Sequence, residues 1–242
     1  MTVILGIETA TIEVSVALVS EDGRVGSVSV RGTRLQAETL HPAIAQLCEH
    51  CGISLGDLGA VAVDIGPGRF TGLRVGVAAA KALAYALGIP VLVACSTDIL
   101  ERSAALVPGP VVPVVDMRRG EVAYSLPAKG NSPELATPQQ LGRLLADLGP
   151  VCPFLVGDGA LRHREAIEAT TEFEVRFGGD EHAAPRAEVL AELGLEQLGR
   201  GGGLDPYSVL PLYLRGPDVR IGWETRDPVV SPSFARAAGE DR

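Results

Sequence analysis

The sequence predicts an α/β protein built from two copies of one unit, each a mixed sheet flanked by helices. Two observations lead to this prediction. A run of three β-rich segments, typical of an antiparallel meander, is followed by strands that alternate with helices. The same order then begins again after the Pro-Gly-Pro stretch at 108–110, which is a natural break in the chain. With 242 residues, of which 46% are hydrophobic, the chain is long and apolar enough to bury a substantial core.

The first half is predicted to hold five strands and three helices. Asp22-Gly23 is a hairpin signal between the second and third strands. Gly52 ends the first helix, and Gly88 and Pro90 end the second. Thr71 is the expected N-cap of that second helix. The predicted elements are strands 3–10, 13–20 and 24–32, helix 38–51, strand 60–65, helix 71–87, strand 91–95 and helix 97–107.

The second half is predicted to repeat this pattern less regularly. Its predicted elements are strands 111–116 and 121–126, helix 138–148, strand 153–157 and helices 160–169 and 185–198. The remaining tail is rich in Gly, Pro, Ser and charged residues, which predicts an extended or mobile segment. The predicted domains are therefore 1–107 and 108–215, followed by the tail at 216–242.

The two halves also align in sequence. "GIETATIEVSVAL" (6–18) lies against "VVDMRRGEVAYSL" (114–126) without a gap, so that Glu8 faces Asp116. Each half then ends a later strand on a Gly-x-Gly pair. These pairs are Gly66 with Gly68, and Gly157 with Gly159. The agreement between element order and motif position indicates an internal duplication.

A duplicated unit of this kind resembles the actin/hexokinase/Hsp70 superfamily, whose two ribonuclease H-like domains face each other across a nucleotide cleft. That resemblance implies an acidic residue at the end of the first strand of each domain, where it handles metal and phosphates. It also implies glycine turns that close over the nucleotide. The residues expected at such a cleft, here a vestigial one, are Glu8, Thr9, Asp116, Arg118, Gly157 and Gly159.

"GPGRFTG" (66–72), followed by "LRVG", narrows the resemblance. Together with "IETAT", "DMRRGEVAY" and "PLYLR", it is similar to the bacterial TsaB (YeaZ) family over 3–215. The resemblance implies a non-catalytic dimerisation subunit of the machinery that makes N6-threonylcarbamoyladenosine at position 37 of tRNAs reading codons that begin with A. The implied partners are a TsaD-like catalytic subunit and a TsaE-like ATPase, with tRNA reached indirectly through the complex.

The helix that follows this turn is apolar on nearly every face, with Arg74 and Lys81 as its charged residues. The resemblance implies that it and helix 38–51 form a bundle with a TsaD-like subunit, or with a second copy in a homodimer. The alternative is that both helices bury their apolar faces within one chain. The expected interface residues are Leu40, Ile44, Leu47, Cys48, Leu73, Gly76, Val77, Ala80, Leu83 and Ala84.

The glycine turn is therefore interpreted as structural, although such turns often cradle phosphate. It lacks the Lys-Ser/Thr of a P-loop, and Lys81 lies about two turns into the helix. Thr9, Ala10 and Thr11 stand where flexible glycines would follow the first acid. Nucleotide binding by this chain alone is not expected, although Arg118 and Arg119 could attract an anion. The structural turn comprises Gly66, Pro67, Gly68, Thr71 and Gly72.

No metal or cofactor is predicted. His41 and His50 are nine residues apart, which places them on opposite sides of a helix, and His163 and His182 stand alone. Cys48 and Cys51 close a helix instead of opening one, which favours buried thiols over a redox pair or half a zinc site.

The net charge of −9 argues against broad binding to nucleic acid or to an anionic membrane by this chain alone. The N-terminus lacks the features of a secretory signal, and the expected location is the cytoplasm. The competing interpretation is an ATP-dependent phosphotransferase of the same superfamily, with Asp64 and Asp158 as available acids; turn capping is their simpler role. A metalloprotease would need paired metal ligands that the sequence lacks.

Overall fold

Two five-stranded sheets with the same strand order form the framework of the molecule. The computed structural model describes residues 2–32, 36–127, 130–149 and 151–215; the predicted tail, 216–242, lies outside the described residues. The first half contains β1 (Val3–Glu8), β2 (Glu13–Ser20), β3 (Gly23–Arg31), α1 (Gln36–Cys51), β4 (Leu58–Asp64), α2 (Phe70–Leu87), β5 (Val91–Ala94) and α3 (Ser96–Ser103). The second half contains β6 (Val111–Asp116), β7 (Val122–Tyr124), β8 (Glu134–Ala136), α4 (Pro138–Leu144), β9 (Phe154–Val156), α5 (Asp158–Arg162), α6 (Arg164–Glu168), β10 (Arg176–Phe177) and α7 (Ala187–Gly199).

The two sheets confirm the predicted duplication at the level of topology. The first runs β3-β2-β1-β4-β5 and the second runs β8-β7-β6-β9-β10. In each, the first three strands are antiparallel and the last two join in parallel. β8 and β10 were not predicted from the sequence, because segments of three and two residues are too short to show alternation.

The inner strands β1, β2 and β4 of the first sheet are buried on both faces, which explains why β1 is apolar without alternation. α1 and α2 cover one face, and α7 covers the other. Gly6 permits the close approach of α7, because a Cβ at this position would lie 2.4 Å from the carbonyl oxygen of Ala187. A larger residue there would push α7 off the sheet.

The two halves exchange their last helices. α3, at the end of the first half, packs on β6 with Leu100 and Ala104 in a core shared with the second sheet. α7 returns from the second half and packs on β1, β2, β4 and β5. The division at residue 107 thus separates the two sheets, but α7 lies within 108–215 and packs on the first sheet. As a domain boundary it stays a prediction.

α2 has one face buried in this core and another face exposed to solvent. Its inner face packs on β4, with Leu73, Val77 and Ala84 buried. Gly88 ends it in the left-handed conformation (φ 67°), as predicted. By length and composition it is also the one described helix apolar enough to cross a membrane, although it forms part of the core beside β4.

Candidate functional site

The "GPGRFTG" turn leads from β4 into α2, but Thr71 does not cap the helix. α2 begins at Phe70, Arg69 occupies the N-cap position without a side-chain cap, and Thr71 is exposed. The backbone N–H of Arg69 donates to the carbonyl oxygen of Ala10 at 2.7 Å. This bond fixes the chain just before the helix. Because Thr71 lies inside the helix and not at its N-cap, the predicted capping role of Thr71 is wrong.

Three glycines, which have no side chain, allow the start of α2 to pack closely against the loop that follows β1. A Cβ on Gly68 would lie 2.5 Å from the carbonyl oxygen of Ala10. One on Gly72 would lie 2.0 Å from the carbonyl oxygen of Thr9, and one on Gly76 would lie 2.3 Å from its Oγ1. The Thr9 hydroxyl donates to the Gly72 carbonyl at 2.8 Å. The glycines therefore allow close backbone packing between the start of α2 and the loop that follows β1.

Glu8, the first predicted cleft acid, is fully buried beside Asp64. Its Oε1 accepts the N–H of Ala10 at 2.6 Å, whereas its Oε2 meets no N–H or hydroxyl donor. Burial and the Asp64 charge raise the pKa of Glu8 well above its usual range. Because the two carboxyl groups also share a hydrogen bond, we assign a proton to Glu8, which donates to Asp64.

Asp64 also accepts hydrogen bonds from the turn and from α3. Its Oδ1 accepts the N–H of Gly66 at 2.7 Å, and its two oxygens accept the Ser96 hydroxyl at 2.9 and 2.7 Å. Burial raises the pKa of Asp64 to about 7, although these hydrogen bonds oppose the shift. Asp64 thus caps the turn, and it also ties β4 to the first residue of α3.

Asp116, the second predicted cleft acid, is surrounded by two arginines and a histidine. Its Oδ1 accepts the Arg118 N–H at 3.1 Å and lies 3.3 Å from Nε2 of His163. Its Oδ2 lies 3.5 Å from Nη1 of Arg118 and 3.5 Å from Nε of Arg162. Asp158 accepts the backbone N–H of Asp116 at 2.9 Å, and burial raises the pKa of Asp158.

The structure brings four of the predicted cleft residues together: Asp116, Arg118, Gly157 and Gly159. The two glycines let the start of α5 touch β6, since a Cβ on Gly157 would lie 2.2 Å from the Val114 carbonyl oxygen. The sequence interpretation missed Arg162 and His163 as partners of Asp116. No local pattern signals them, because the packing of α5 on β6 alone brings them within reach.

The ten predicted interface residues lie almost entirely inside this chain. Nine are buried and Leu83 is partly buried, in the core between α1, α2 and the first sheet. A partner could not touch the buried nine without disrupting that core, so the alternative of burial within one chain holds for them. The exposed positions of the two helices are different ones, among them His41, Ala45, Ala78 and Ala82.

A C-terminal strap, defined here as residues 204–213, lies along α2. Lys81 Nζ donates to the carbonyl oxygens of Tyr207 and Val209 at 3.2 and 2.9 Å. The Arg74 side chain donates to the Tyr213 hydroxyl at 3.1 Å. These bonds account for the two charged residues of the otherwise apolar helix α2, because both hold the strap.

The described side chains offer little to a metal ion. Across residues 2–32, 36–127, 130–149 and 151–215, no cluster of three or more His, Cys, Asp and Glu side chains is placed to bind one. At the two acid positions, Glu8 is closed off from solvent and Asp116 is already matched by positive groups.

Comparison with known proteins connects this geometry to a family. A sequence model described as "TsaD: tRNA N6-adenosine threonylcarbamoyltransferase" matches residues 26–133. YeaZ from Pseudomonas aeruginosa superposes with a TM-score of 0.75 at 29% identity, covering 88% of this chain and all of that one. With the two mixed sheets, this similarity confirms the predicted actin-like fold class.

Two curated relatives cover nearly the whole chain. The Haemophilus influenzae protein TsaB is 25% identical over 88% of this chain and 93% of its own length. The Bacillus subtilis "tRNA threonylcarbamoyladenosine biosynthesis protein TsaB" is 31% identical over 91% of this chain and 97% of its own length. This extent of similarity, on the same fold, shows that the chain belongs to the TsaB family.

Proposed function

We propose that this chain is the non-catalytic subunit of the complex that transfers a threonylcarbamoyl group to N6 of adenosine 37 in tRNAs reading codons that begin with A. It binds and activates a TsaD-like catalytic subunit in the cytoplasm and helps recruit a TsaE-like ATPase. It meets tRNA indirectly, through the complex. The observation that carries this proposal is the closed state of the first acid position, where Glu8 is buried under the Thr9–Thr11 loop.

That closure removes what a phosphotransferase would need. A magnesium–nucleotide site requires accessible carboxylates and convergent backbone N–H groups around the phosphates. Here the glycine turn is packed against the loop after β1, and Glu8 shares its proton with Asp64. Chemistry on a nucleotide therefore belongs to a partner subunit.

The TsaD match supports a partner surface on α1 and α2. The matched segment, 26–133, includes both α1 and α2, so a TsaD-like protein carries a corresponding pair of helices. Two similar helix pairs can pack face to face about a pseudo-twofold axis. The exposed alanines Ala45, Ala78 and Ala82 allow such close packing, and a homodimer would use the same surface.

The decisive experiment uses one exposed position on that surface. Ala82→Glu places a charge on the outer face of α2, whereas Ala80→Glu would disrupt the core because Ala80 is buried. We expect Ala82→Glu to abolish co-purification with the TsaD-like subunit of the same organism and to lower tRNA modification. Leu106→Glu, at a side chain that is 99% exposed on another part of the surface, is the matched control.

The wild-type midpoint of thermal unfolding in both variants would show that the fold is intact. Normal assembly of the Ala82→Glu protein would contradict the proposed surface. Calorimetric titration of the wild-type chain with ATP and magnesium tests the competing phosphotransferase. Micromolar binding together with ATP hydrolysis by the chain alone would favour it over the subunit proposal.

A further inference from the structure

The exposed aromatic side chains of the described chain are concentrated in one place. Phe70 and Tyr85, at the two ends of α2, are 52% and 65% exposed, and Tyr207 and Tyr213 of the strap are 69% and 44% exposed. Leu210, between the two strap tyrosines, is 71% exposed. Clusters of Tyr and other large apolar residues on a surface are characteristic of protein–protein interfaces.

The strap is held as a defined surface along α2. The Phe70 ring lies against the Tyr213 ring, with centroids 5.2 Å apart and planes tilted by 38°, and Tyr85 meets Tyr207 edge-on at 5.3 Å. The Leu212 N–H donates to the Ile65 carbonyl at 2.7 Å, close to the glycine turn. Together with the bonds from Lys81 and Arg74, these contacts fix the strap at both ends of the helix.

The strap forms one wall of a trough above α2. At about 100° per residue, the strap contacts of α2 (positions 70, 74, 81 and 85) fall on one side of the helix. α1 lies on the other side, where Gln36 Nε2 would be 2.9 Å from a Cβ on Gly72. Between them lies an exposed floor of small residues: Thr71, Ala78, Ala82 and Ala86.

We propose that this trough receives a helix of the TsaD-like subunit, with Tyr207, Leu210 and Tyr213 as the contacts that fasten it. The inference rests on the proposed function and adds to it a third element, the strap, beside the two helices. A floor of alanines lets a partner helix approach closely, and aromatic walls supply the large buried area that small residues cannot. The occupant is thus a helix with small or aliphatic residues on its docking side.

The TsaD match supports this occupant. It spans the segment that contains α1 and α2 and ends at residue 133, well before the strap. A TsaD-like protein is therefore expected to carry helices that correspond to α1 and α2, and one of these is the occupant that we propose for the trough. The strap lies outside the matched segment, so the contacts proposed for it are an addition by this chain.

The test compares three full-length variants with the wild-type chain. Leu210→Asp changes the strap, Ala82→Glu changes the floor, and Leu106→Asp is the control on a remote exposed side chain. Calorimetry measures the Kd for the purified TsaD-like subunit of the same organism, and sedimentation measures self-association. We expect Leu210→Asp to weaken the heterodimer at least about tenfold, as loss of a central apolar contact does, and Leu106→Asp to leave it unchanged.

The outcomes separate the two proposals. If Ala82→Glu weakens binding and Leu210→Asp does not, the strap inference fails while the subunit proposal stands. If the wild-type chain does not bind the TsaD-like subunit at all, the proposed function itself fails. An effect of Leu210→Asp on self-association alone would assign the trough to a second copy and overturn the inference. A Tyr207→Ala variant with the wild-type unfolding midpoint guards against a misfolded Leu210→Asp protein, and it is expected to weaken the heterodimer in the same direction.

Discussion

The chain places a carboxylate at the end of the first strand in each half, yet it neutralises the two in different ways. Glu8, at the end of β1, is fully buried and shares a proton with Asp64. Asp116, at the end of β6, lies against Arg118, Arg162 and His163, whose side chains reach solvent. The Glu8 carboxyl is neutralised by a proton, whereas the negative charge of Asp116 is balanced by positive side chains.

This difference shows that two halves with the same strand order can surround equivalent acids in different ways. Both acids still sit where their strands end, facing a glycine turn from the neighbouring parallel strand. In the first half, the turn and the loop after β1 have closed over the acid. In the second half, the acid still faces basic residues, and Arg118 and Arg119 both hold positive φ angles of 61° and 55°.

The largest expected effect concerns the glycine turns that the two halves share. Gly72→Ala would bring a Cβ to 2.0 Å from the Thr9 carbonyl oxygen, and Gly159→Ala would bring one to 2.8 Å from the Val115 carbonyl carbon. Because backbone atoms cannot move aside, we expect Gly72→Ala to lower the free energy of unfolding by about 3 kcal/mol or more. Gly159→Ala should cost about 2 kcal/mol, and urea unfolding measures both.

The control for these substitutions is Gly199→Ala at the end of α7, where an added Cβ meets nothing within 4 Å. That variant should be neutral or more stable by up to about 1 kcal/mol, since it only restricts the unfolded chain. Equal losses at all three glycines would argue against close packing as the role of the two turns.

The second expected effect is a dependence of folding stability on pH, which arises at the buried Glu8–Asp64 pair. The pKa of Asp64 is raised to about 7, so the folded chain holds a proton that the unfolded chain releases near pH 4. This stabilisation is complete below about pH 4 and is lost as the pH rises through 7. We expect Asp64→Asn to remove on the order of 2 kcal/mol of the fall in stability that the wild type shows between pH 5 and pH 8.

Urea unfolding at several pH values between 5 and 8 checks this expectation. Asp147→Asn, at an exposed aspartate, is the matched control and should keep the wild-type pH dependence. A variant at position 64 whose stability falls with pH as steeply as that of the wild type would show that Asp64 does not take up a proton near pH 7 in the folded chain.

The smallest effect concerns the second site. The Asp116 side chain is buried, but its partners Arg118 and Arg162 are 49% and 58% exposed, and ion pairs that water can reach contribute little. Asp116→Asn should therefore cost about 1 kcal/mol or less, and salt at about 1 M should remove most of the difference. A loss that salt leaves unchanged would mean that hydrogen bonds, and not charge, hold this site.

The duplication, the order of the long elements and the family were accessible from sequence because they depend on periodicity and on local motifs. The meander was visible in β-branched alternation around Asp22-Gly23, and the end of α2 was visible in Gly88. The glycines of the two turns could also be identified in the sequence, but their structural role could not. Only the structure shows that Gly68 and Gly72 meet the backbone of residues 9–10.

The orientation of α2 could not be predicted from the sequence, because the helix is apolar on nearly every side. Periodicity cannot select an inner face in such a helix, and so Val77 and Ala80 were assigned to a partner although they lie in the core. The Asp116 contacts of Arg162 and His163 depend on long-range packing of α5 on β6. The strap, similarly, has no periodic signal and is defined by contacts to a helix more than a hundred residues away.

The return of α7 to the first sheet has a consequence during protein synthesis. The last strand of that sheet, β5, ends at Ala94, whereas the helix that covers its second face ends at Gly199. At typical rates of translation, the ribosome needs about 5–20 s to make the chain between these two points. For that time the nascent first sheet has an apolar face open to water, which makes it a target for chaperones and for premature association with another chain.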